Sequence, residues 1–298
     1  MATLVVKEVA MMTLPALGQE LGFDFKDEVP GTPLSSPPSS PLVGTSASAQ
    51  INEIDEPALV IYPRDGSRPV VRYGSHSVED VSTARAADTS SAPQDWREED
   101  AIRIKLRINV TEGCGGRIWP AAEVLGAYLA SDELEMLQGG AQDGDWRSGT
   151  IVELGSGTGL VGFLAAMRFP QARVWVTDQQ AMLNVMDLNH ALNQPAVANC
   201  KVEQLDWGLP ARASIPSKPD VLLLADCVYL ESAFQPLVDT MVQLSNSDTL
   251  ILFCYQQRRK ADKRFFALLK KHFTWDEVLS PEKSRAAAPT RLFRVRRR

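Results

Sequence analysis

The segment from Ile151 to Phe163, Ile-Val-Glu-Leu-Gly-Ser-Gly-Thr-Gly-Leu-Val-Gly-Phe, joins a short apolar run to a glycine cluster and then to an apolar helical start. Glycine lacks a Cβ and tolerates positive φ, so Gly155, Gly157 and Gly159 let a strand reverse sharply into a helix while a ligand lies against bare backbone. The amides that open such a helix have no intrahelical partners and carry positive partial charge, which suits a carboxylate or a phosphate. A nucleotide-type cofactor site is expected at this turn.

Strand patterns alternate with helical ones on either side of it. Strands are expected at 150–154, 173–178, 201–205, 220–226 and 249–255, and helices at 160–169, 180–193 and 232–244. This alternation implies a parallel sheet with helices on both faces, and the near-continuous apolar runs at 221–224 and 250–253 read as central strands. A last helix over 260–273 and strands at 274–279 and 291–295 close the sheet at seven strands. The expected fold is α/β, Rossmann-like and doubly wound, with ligands at the carboxyl ends of the strands. Upstream, Ile102, Ile104, Leu106, Ile108 and Val110 alternate with Arg103, Lys105, Arg107 and Asn109, a half-buried strand with a basic outer face. A helix follows with Pro120 near its start. The domain is expected to occupy residues 98–298.

Residues 1–97 are expected to form a mostly disordered extension. The proline and serine tract at 30–50 cannot bury enough apolar surface to offset its ordering entropy. A β-ribbon is expected at 57–73, where Ala-Leu-Val-Ile-Tyr and Pro-Val-Val-Arg-Tyr flank Pro-Arg-Asp-Gly. Residues 1–100 hold 7 Lys or Arg against 16 Asp or Glu, so the net charge of −6 conceals a mildly basic second part. The four cysteines are widely spaced with no C-x-x-C pair and the three histidines are scattered, so neither a metal site nor a disulfide framework is expected. No apolar run approaches the roughly 20 residues that span a bilayer. Lys7, Glu8, Glu20 and Asp24 interrupt the first apolar stretch, unlike a secretory or mitochondrial leader. A soluble, cytoplasmic monomer with no membrane partner is expected.

The glycines admit two cofactors. Gly157, Gly159 and Gly162 satisfy G-x-G-x-x-G with Asp178 about twenty residues downstream, as in a dinucleotide site, which leaves an NAD-dependent oxidoreductase open. Glu153, followed by Leu-Gly-x-Gly-x-Gly and including Gly155, Ser156 and Gly157, instead resembles the first motif of class I S-adenosylmethionine (SAM)-dependent methyltransferases. A carboxylate there can help to hold the ammonium of SAM, whereas it would repel a pyrophosphate. Asp178 ends the second strand, where it can accept from both ribose hydroxyls or cap the next helix. Asp206 and Trp207 follow the third, where an indole can pack on adenine and a carboxylate can accept from the adenine amino group, or Trp207 can serve the core. Trp119 has the same two readings. Asp226, directly after four apolar strand residues, is costly unless hydrogen-bonded or used. Arg258, Arg259, Lys260, Lys263 and Arg264 form a basic cluster read either as a solvated helix face or as a surface that steers an acidic protein or an RNA backbone. Phe265 and Phe266 read as that helix's core face rather than as base-stacking rings, so a protein rather than nucleic acid is the expected primary partner.

Ala225-Asp226-Cys227-Val228-Tyr229 lacks the two prolines that follow the acidic or amide residue of adenine-N6 and glutamine methyltransferases. Its Asp-x-x-Tyr resembles the post-second motif of the family 16 seven-β-strand methyltransferases, chiefly protein lysine methyltransferases. The resemblance covers most of residues 102–297. It runs through Gly113-Cys114-Gly115-Gly116-Arg117-Ile118-Trp119, the block 152–162, residues 225–234 and Arg258-Arg259-Lys260-Ala261-Asp262-Lys263, and is strongest to the fungal lysine methyltransferases of translation elongation factor 1A. It implies a class I methyltransferase fold, SAM contacts at Trp119, Gly155, Ser156, Gly157, Asp178, Trp207 and Ala225, and Asp226 and Tyr229 facing the substrate. A lysine of elongation factor 1A is the implied target, with methyl transfer to RNA or to a small molecule as the other methyltransferase reading. The first hundred residues do not match the family pattern.

Overall fold

The computed structural model describes residues 55–64, 68–73, 101–109, 114–132, 146–260, 262–279 and 289–298. The proline and serine tract lies outside these residues. Seven strands form the main sheet: β4 (Thr150–Leu154), β5 (Arg173–Asp178), β6 (Cys200–Gln204), β7 (Val221–Ala225), β8 (Leu250–Gln256), β9 (Phe273–Leu279) and β10 (Thr290–Arg297). Their order is β6-β5-β4-β7-β8-β10-β9. The first five are parallel, and β10 runs antiparallel to both β8 and β9. This is the doubly wound, mostly parallel sheet that the alternation of patterns implied.

Apolar residues on the central strands alternate between two cores, which is why those strands read as unbroken hydrophobic runs. Ile151, Leu223 and Leu252 face one side, packed with helices α1 (Pro120–Ala130), α2 (Leu160–Arg168) and α3 (Leu183–Leu192). Val152, Leu222, Leu224 and Ile251 face the other, with α4 (Phe234–Leu244) and α5 (Asp262–Leu269). Helix α5 is shorter than the expected 260–273. Phe273 is fully buried as the first residue of β9, so the chain leaves the helix at Leu269 to deliver that ring to the core. Among the described residues, no helix is long and apolar enough to cross a membrane.

A second, antiparallel sheet has the order β2-β1-β3, from β1 (Asp55–Tyr62), β2 (Val70–Tyr73) and β3 (Ile102–Asn109). The ribbon expected at 57–73 is thus paired along β1 with the alternating strand at 102–109. Ala58, Val60 and Tyr62 lie in the same core cluster as Ile104, Leu106 and the residues of α1 and α2. Gly126 of α1 leaves room for Tyr62, because a Cβ there would stand 2.5 Å from its ring.

The other edge of β3 is closed by side chains instead of a strand. Asn193 accepts from the Lys105 amide at 2.9 Å and donates to the Lys105 carbonyl at 2.7 Å. Asn189, one turn earlier on α3, does the same for Arg107 at 2.6 and 3.1 Å. Residues four apart on a helix share a face, and residues two apart on a strand present their backbone groups to one edge, so the two amides act as a short imitation strand. Asn189 also donates to the Thr158 carbonyl at 3.0 Å, which connects this clamp to the glycine turn. Replacing Asn189 with Ala removes three hydrogen bonds at a fully buried position. Urea unfolding should show a loss of about 1–3 kcal/mol, whereas an unchanged midpoint would mean that the clamp contributes nothing.

Candidate active site

The parallel register brings the carboxyl ends of the strands to one level. Leu154 pairs with Thr177 and Leu224, Asp178 with Gln204, and Ala225 with Cys254. The segments that follow these residues therefore open on one rim, and the strand order reverses between β4 and β7.

The glycine turn sits at that point. Gly155, Gly157 and Gly159 have φ of 64°, 55° and 82°, the left-handed region where a side chain is strained. Close neighbours fill the space where side chains would be. A Cβ on Gly155 would lie 2.7 Å from the Trp207 ring, and one on Gly157 would lie 2.4 Å from the Gly115 carbonyl oxygen. The turn is also tied from below. The Thr177 amide donates to Ser156 Oγ at 2.9 Å, the Ser156 amide donates to the Thr177 carbonyl at 3.0 Å, and the Gly157 amide donates to Asp178 Oδ2 at 2.8 Å. Asp178 also accepts from the Gln179 amide at 2.7 Å. Burial pushes the Asp178 carboxyl up to about 6, against these amides, which favour its charged form.

Glu153 lies beneath the turn and is 2% exposed. Its Oε2 accepts from the Gly162 amide in the first turn of α2 at 2.9 Å. Burial drives its carboxyl from an ordinary value of 4.5 to about 8, with the Ser156 hydroxyl and the Gly162 amide pulling the other way. Asp206 and Trp207 follow β6. Asp206 accepts from Gln204 Nε2 at 2.7 Å, and the half-exposed Trp207 ring covers Gly155.

The Asp-x-x-Tyr segment follows β7. Asp226 has φ 61°, the one positive value among the described non-glycine residues, and its side chain is 4% exposed. A non-glycine residue held in this conformation costs of order 1–2 kcal/mol, as is common where a site fixes a side chain. The Asp226 amide continues the sheet by donating to the Cys254 carbonyl at 2.8 Å. Both carboxylate oxygens are engaged by Arg258, Nη1 donating to Oδ1 at 2.7 Å and Nη2 to Oδ2. The Arg258 guanidinium carbon lies 5.2 Å from the centre of the Trp119 ring, and the Trp119 indole donates to the Cys114 carbonyl at 2.9 Å. Arg259 Nη2 donates to the Tyr229 carbonyl, and the Tyr229 hydroxyl and Cys114 thiol share a hydrogen bond. Burial pushes that hydroxyl well above its usual range, so it stays protonated.

Trp119, Asp178, Trp207, Ala225, Asp226 and Tyr229 thus gather around the glycine turn, with Glu153 packed under it. The basic cluster is different from the expected helix face. Helix α5 begins at Asp262, so Arg258 and Arg259 precede it, and both turn inward to the Asp226–Tyr229 segment. Arg264 pairs with Glu231. The cause is the buried Asp262 carboxylate, which accepts from the amides of Arg258 and Arg259 at 3.1 and 3.2 Å and folds the segment back on the site. The one sequence signal was position, since Arg258 follows the strand adjacent to Asp226. A groove of about 500 Å³ lined by Tyr255, Gln257, Phe266, Trp275 and Lys263 opens beside this segment. Its Tyr255 and Gln257 flank Gln256, whose amide donates to Asp226 Oδ1 at 3.3 Å.

A doubly wound sheet with a glycine turn at its switch point and acidic residues at successive strand ends is the architecture of a class I-type methyltransferase fold. Residues 98–272 match the lysine methyltransferase family model, and the chain belongs to that family. It is 33% identical over 181 residues, 56% of this chain and 73% of the relative, to protein-lysine N-methyltransferase EFM6 of Saccharomyces cerevisiae. It is 32% identical over 201 residues, 66% of this chain and 81% of the relative, to protein N-lysine methyltransferase METTL21A of Mus musculus. A third relative, EEF1A lysine methyltransferase 3 of Mus musculus, is 33% identical over 169 residues, 56% of this chain and 69% of that protein. Membership decides between the two readings of the glycines in favour of methyl transfer.

Glu153 gives the fold a pH dependence of definite sign. A carboxyl raised to about 8 in the folded chain and near 4.5 when unfolded stabilises fully below 4.5, and that contribution is lost as pH rises toward 8. Asp178 acts with the same sign between 3.8 and about 6. Urea midpoints should therefore fall between pH 6 and 8 in the wild type, and Glu153→Gln, which keeps an acceptor for Gly162, should flatten that decline. An equal decline in both proteins would place the titration elsewhere.

Proposed function

We propose that this chain is a cytoplasmic, SAM-dependent protein-lysine N-methyltransferase whose target is a lysine ε-amine of translation elongation factor 1A. The observation that carries the reading is the buried Asp226, fixed at the rim beside the glycine turn and followed by Tyr229. Family membership supports lysine as the acceptor. The name of the mouse relative EEF1A lysine methyltransferase 3 and the likeness of residues 113–119 and 258–263 to the fungal enzymes support the elongation factor.

The residues present fit SAM. The turn carries no side chain at Gly155 and Gly157, and the Trp207 ring and the Gly115 carbonyl close on it where a Cβ would stand. Asp178 uses one bond on each oxygen for backbone amides and keeps lone pairs for ribose hydroxyls. Asp206 stands ready for an adenine amino group, and the Trp119 and Trp207 rings offer flat apolar faces. Glu153 acts through the turn that it supports. When bound, SAM supplies an electrophilic methyl group on a cationic sulfur.

The chain's own task is to deliver an uncharged amine in line with that methyl group. A lysine ammonium has no lone pair, and at pH 7.4 its deprotonation costs about 4 kcal/mol. A desolvated site beside a cation favours the neutral form. Asp226 accepts a hydrogen bond from the amine and orients its lone pair, while Tyr229 walls the channel. Alignment of this kind contributes roughly 7–11 kcal/mol where the geometry is near attack.

Unmethylated elongation factor 1A incubated with the protein and methyl-labelled SAM should gain label on a lysine, located by peptide mass spectrometry. Label that ribonuclease removes, or that lies on another residue type, contradicts the proposal. Asp226→Ala should bind SAM as the wild type does in calorimetry while turnover falls about a hundredfold or more. Retained turnover would remove Asp226 from the reaction.

A further inference from the structure

A carboxylate beside the amine poses a problem for the proposed reaction. Unopposed, it attracts an ammonium and raises the pKa of the lysine, holding the substrate in the form that cannot react. Arg258 removes that conflict. Its guanidinium meets both oxygens of Asp226, and Nη2 also donates to Gln256 Oε1 at 3.1 Å. The pair is well buried, with side chains 12% and 4% exposed, so its charges are poorly screened by water. The arginine is held on three sides, by Asp226, by the Trp119 ring and by the Asp262 carboxylate that takes its backbone amide. The other titratable groups facing Asp226 do not alter this balance. The thiol of Cys227 on the same segment and that of Cys254 on β8 are pushed up by burial and by Asp226 itself, and the Tyr229 phenol is pushed up too, so all three stay neutral. Asp178 lies across the turn with its oxygens on backbone amides, and Arg259 reaches the Tyr229 carbonyl.

We propose that Arg258 is a positioning residue that turns Asp226 into an acceptor for a neutral amine: it cancels the carboxylate charge, fixes both oxygens, and so makes the site reject a lysine ammonium. Oδ1 takes both Arg258 Nη1 and the Gln256 amide, whereas Oδ2 retains a lone pair beyond its bond to arginine, which leaves Asp226 able to accept from the amine through Oδ2. With Arg258 in place, an entering ammonium adds a positive charge to a neutral pair beside a sulfonium. Without it, the ammonium meets an unopposed carboxylate. This inference rests on the lysine methyl-transfer reading above.

The test is the pH dependence of kcat, which reports the enzyme–substrate complex. Unmethylated elongation factor 1A serves as saturating substrate, and wild type, Arg258→Gln and Arg258→Lys are compared. Arg258→Gln should move the rising limb to higher pH by at least about one pH unit, lower kcat at pH 7 about tenfold or more, and recover at alkaline pH, with KM unchanged or lower. Arg258→Lys, which keeps the charge and loses the two-point contact, should lose activity evenly across pH with the wild-type midpoint. An unmoved midpoint in Arg258→Gln, or the same displacement in Arg258→Lys, overturns the proposal in favour of a purely structural ion pair. If Arg258→Gln does not fold, Asp226→Asn is compared with the double variant that also carries Arg258→Gln. The single change should lower the midpoint, because it leaves the cation unopposed, and the double should return it to the wild-type value. Equal midpoints in the two overturn the proposal. If wild-type protein transfers no methyl group to lysine, the functional reading fails. If it does and the midpoints do not respond to charge, only the role of Arg258 fails.

Discussion

The site depends on how the glycine turn is fastened to the ends of two neighbouring parallel strands. Glu153 of β4 takes the Gly162 amide, Asp178 of β5 takes the Gly157 amide, and Thr177 and Ser156 exchange hydrogen bonds between them. These contacts occupy polar backbone that would otherwise be buried without partners at a strand-to-helix turn. They also hold three left-handed glycines in a conformation that leaves the upper face of the turn without side chains. Trp207 and Gly115 can then approach it closely. Everything else at the rim takes its position from the register of the parallel strands.

Two buried carboxyl groups within this small region are handled in opposite ways. Glu153 has an amide and a hydroxyl but no cation, and burial makes it hold its proton to about pH 8. Asp226 is also buried but bonds a guanidinium through both oxygens. A buried ion pair does not guarantee stability, since desolvation offsets much of the attraction, and removing one partner is costly. Its presence at a strained φ beside the glycine turn agrees with the proposed role of Asp226 in the reaction.

The sheet was readable because its strands are apolar on both faces and its helices keep their period, and both patterns are local. The strand-end residues were readable for the same reason, since a carboxylate after four apolar residues stands out in any order of strands. Arg258 and Arg259 were not. Five basic residues in seven positions resemble a solvated helix face, and only the pairing of β7 with β8, together with the Asp262 carboxylate, shows two of them turning inward. The clamp of Asn189 and Asn193 on β3 was hidden likewise, because it joins a helix to a strand far away in sequence. The ribbon at 57–73 was visible as two strands, but its pairing with β3 requires a contact that no local pattern encodes.

The central claim is that the strand-end carboxylates around the glycine turn hold SAM. Isothermal titration calorimetry of SAM and of NAD against the wild type and Asp178→Ala tests it most directly. Loss of hydrogen bonds to a charged group costs about 1.5–3 kcal/mol. SAM should bind the wild type and weaken by roughly tenfold to a hundredfold in the variant, with no heat from NAD. Binding of NAD in place of SAM, or SAM affinity indifferent to Asp178, would contradict it.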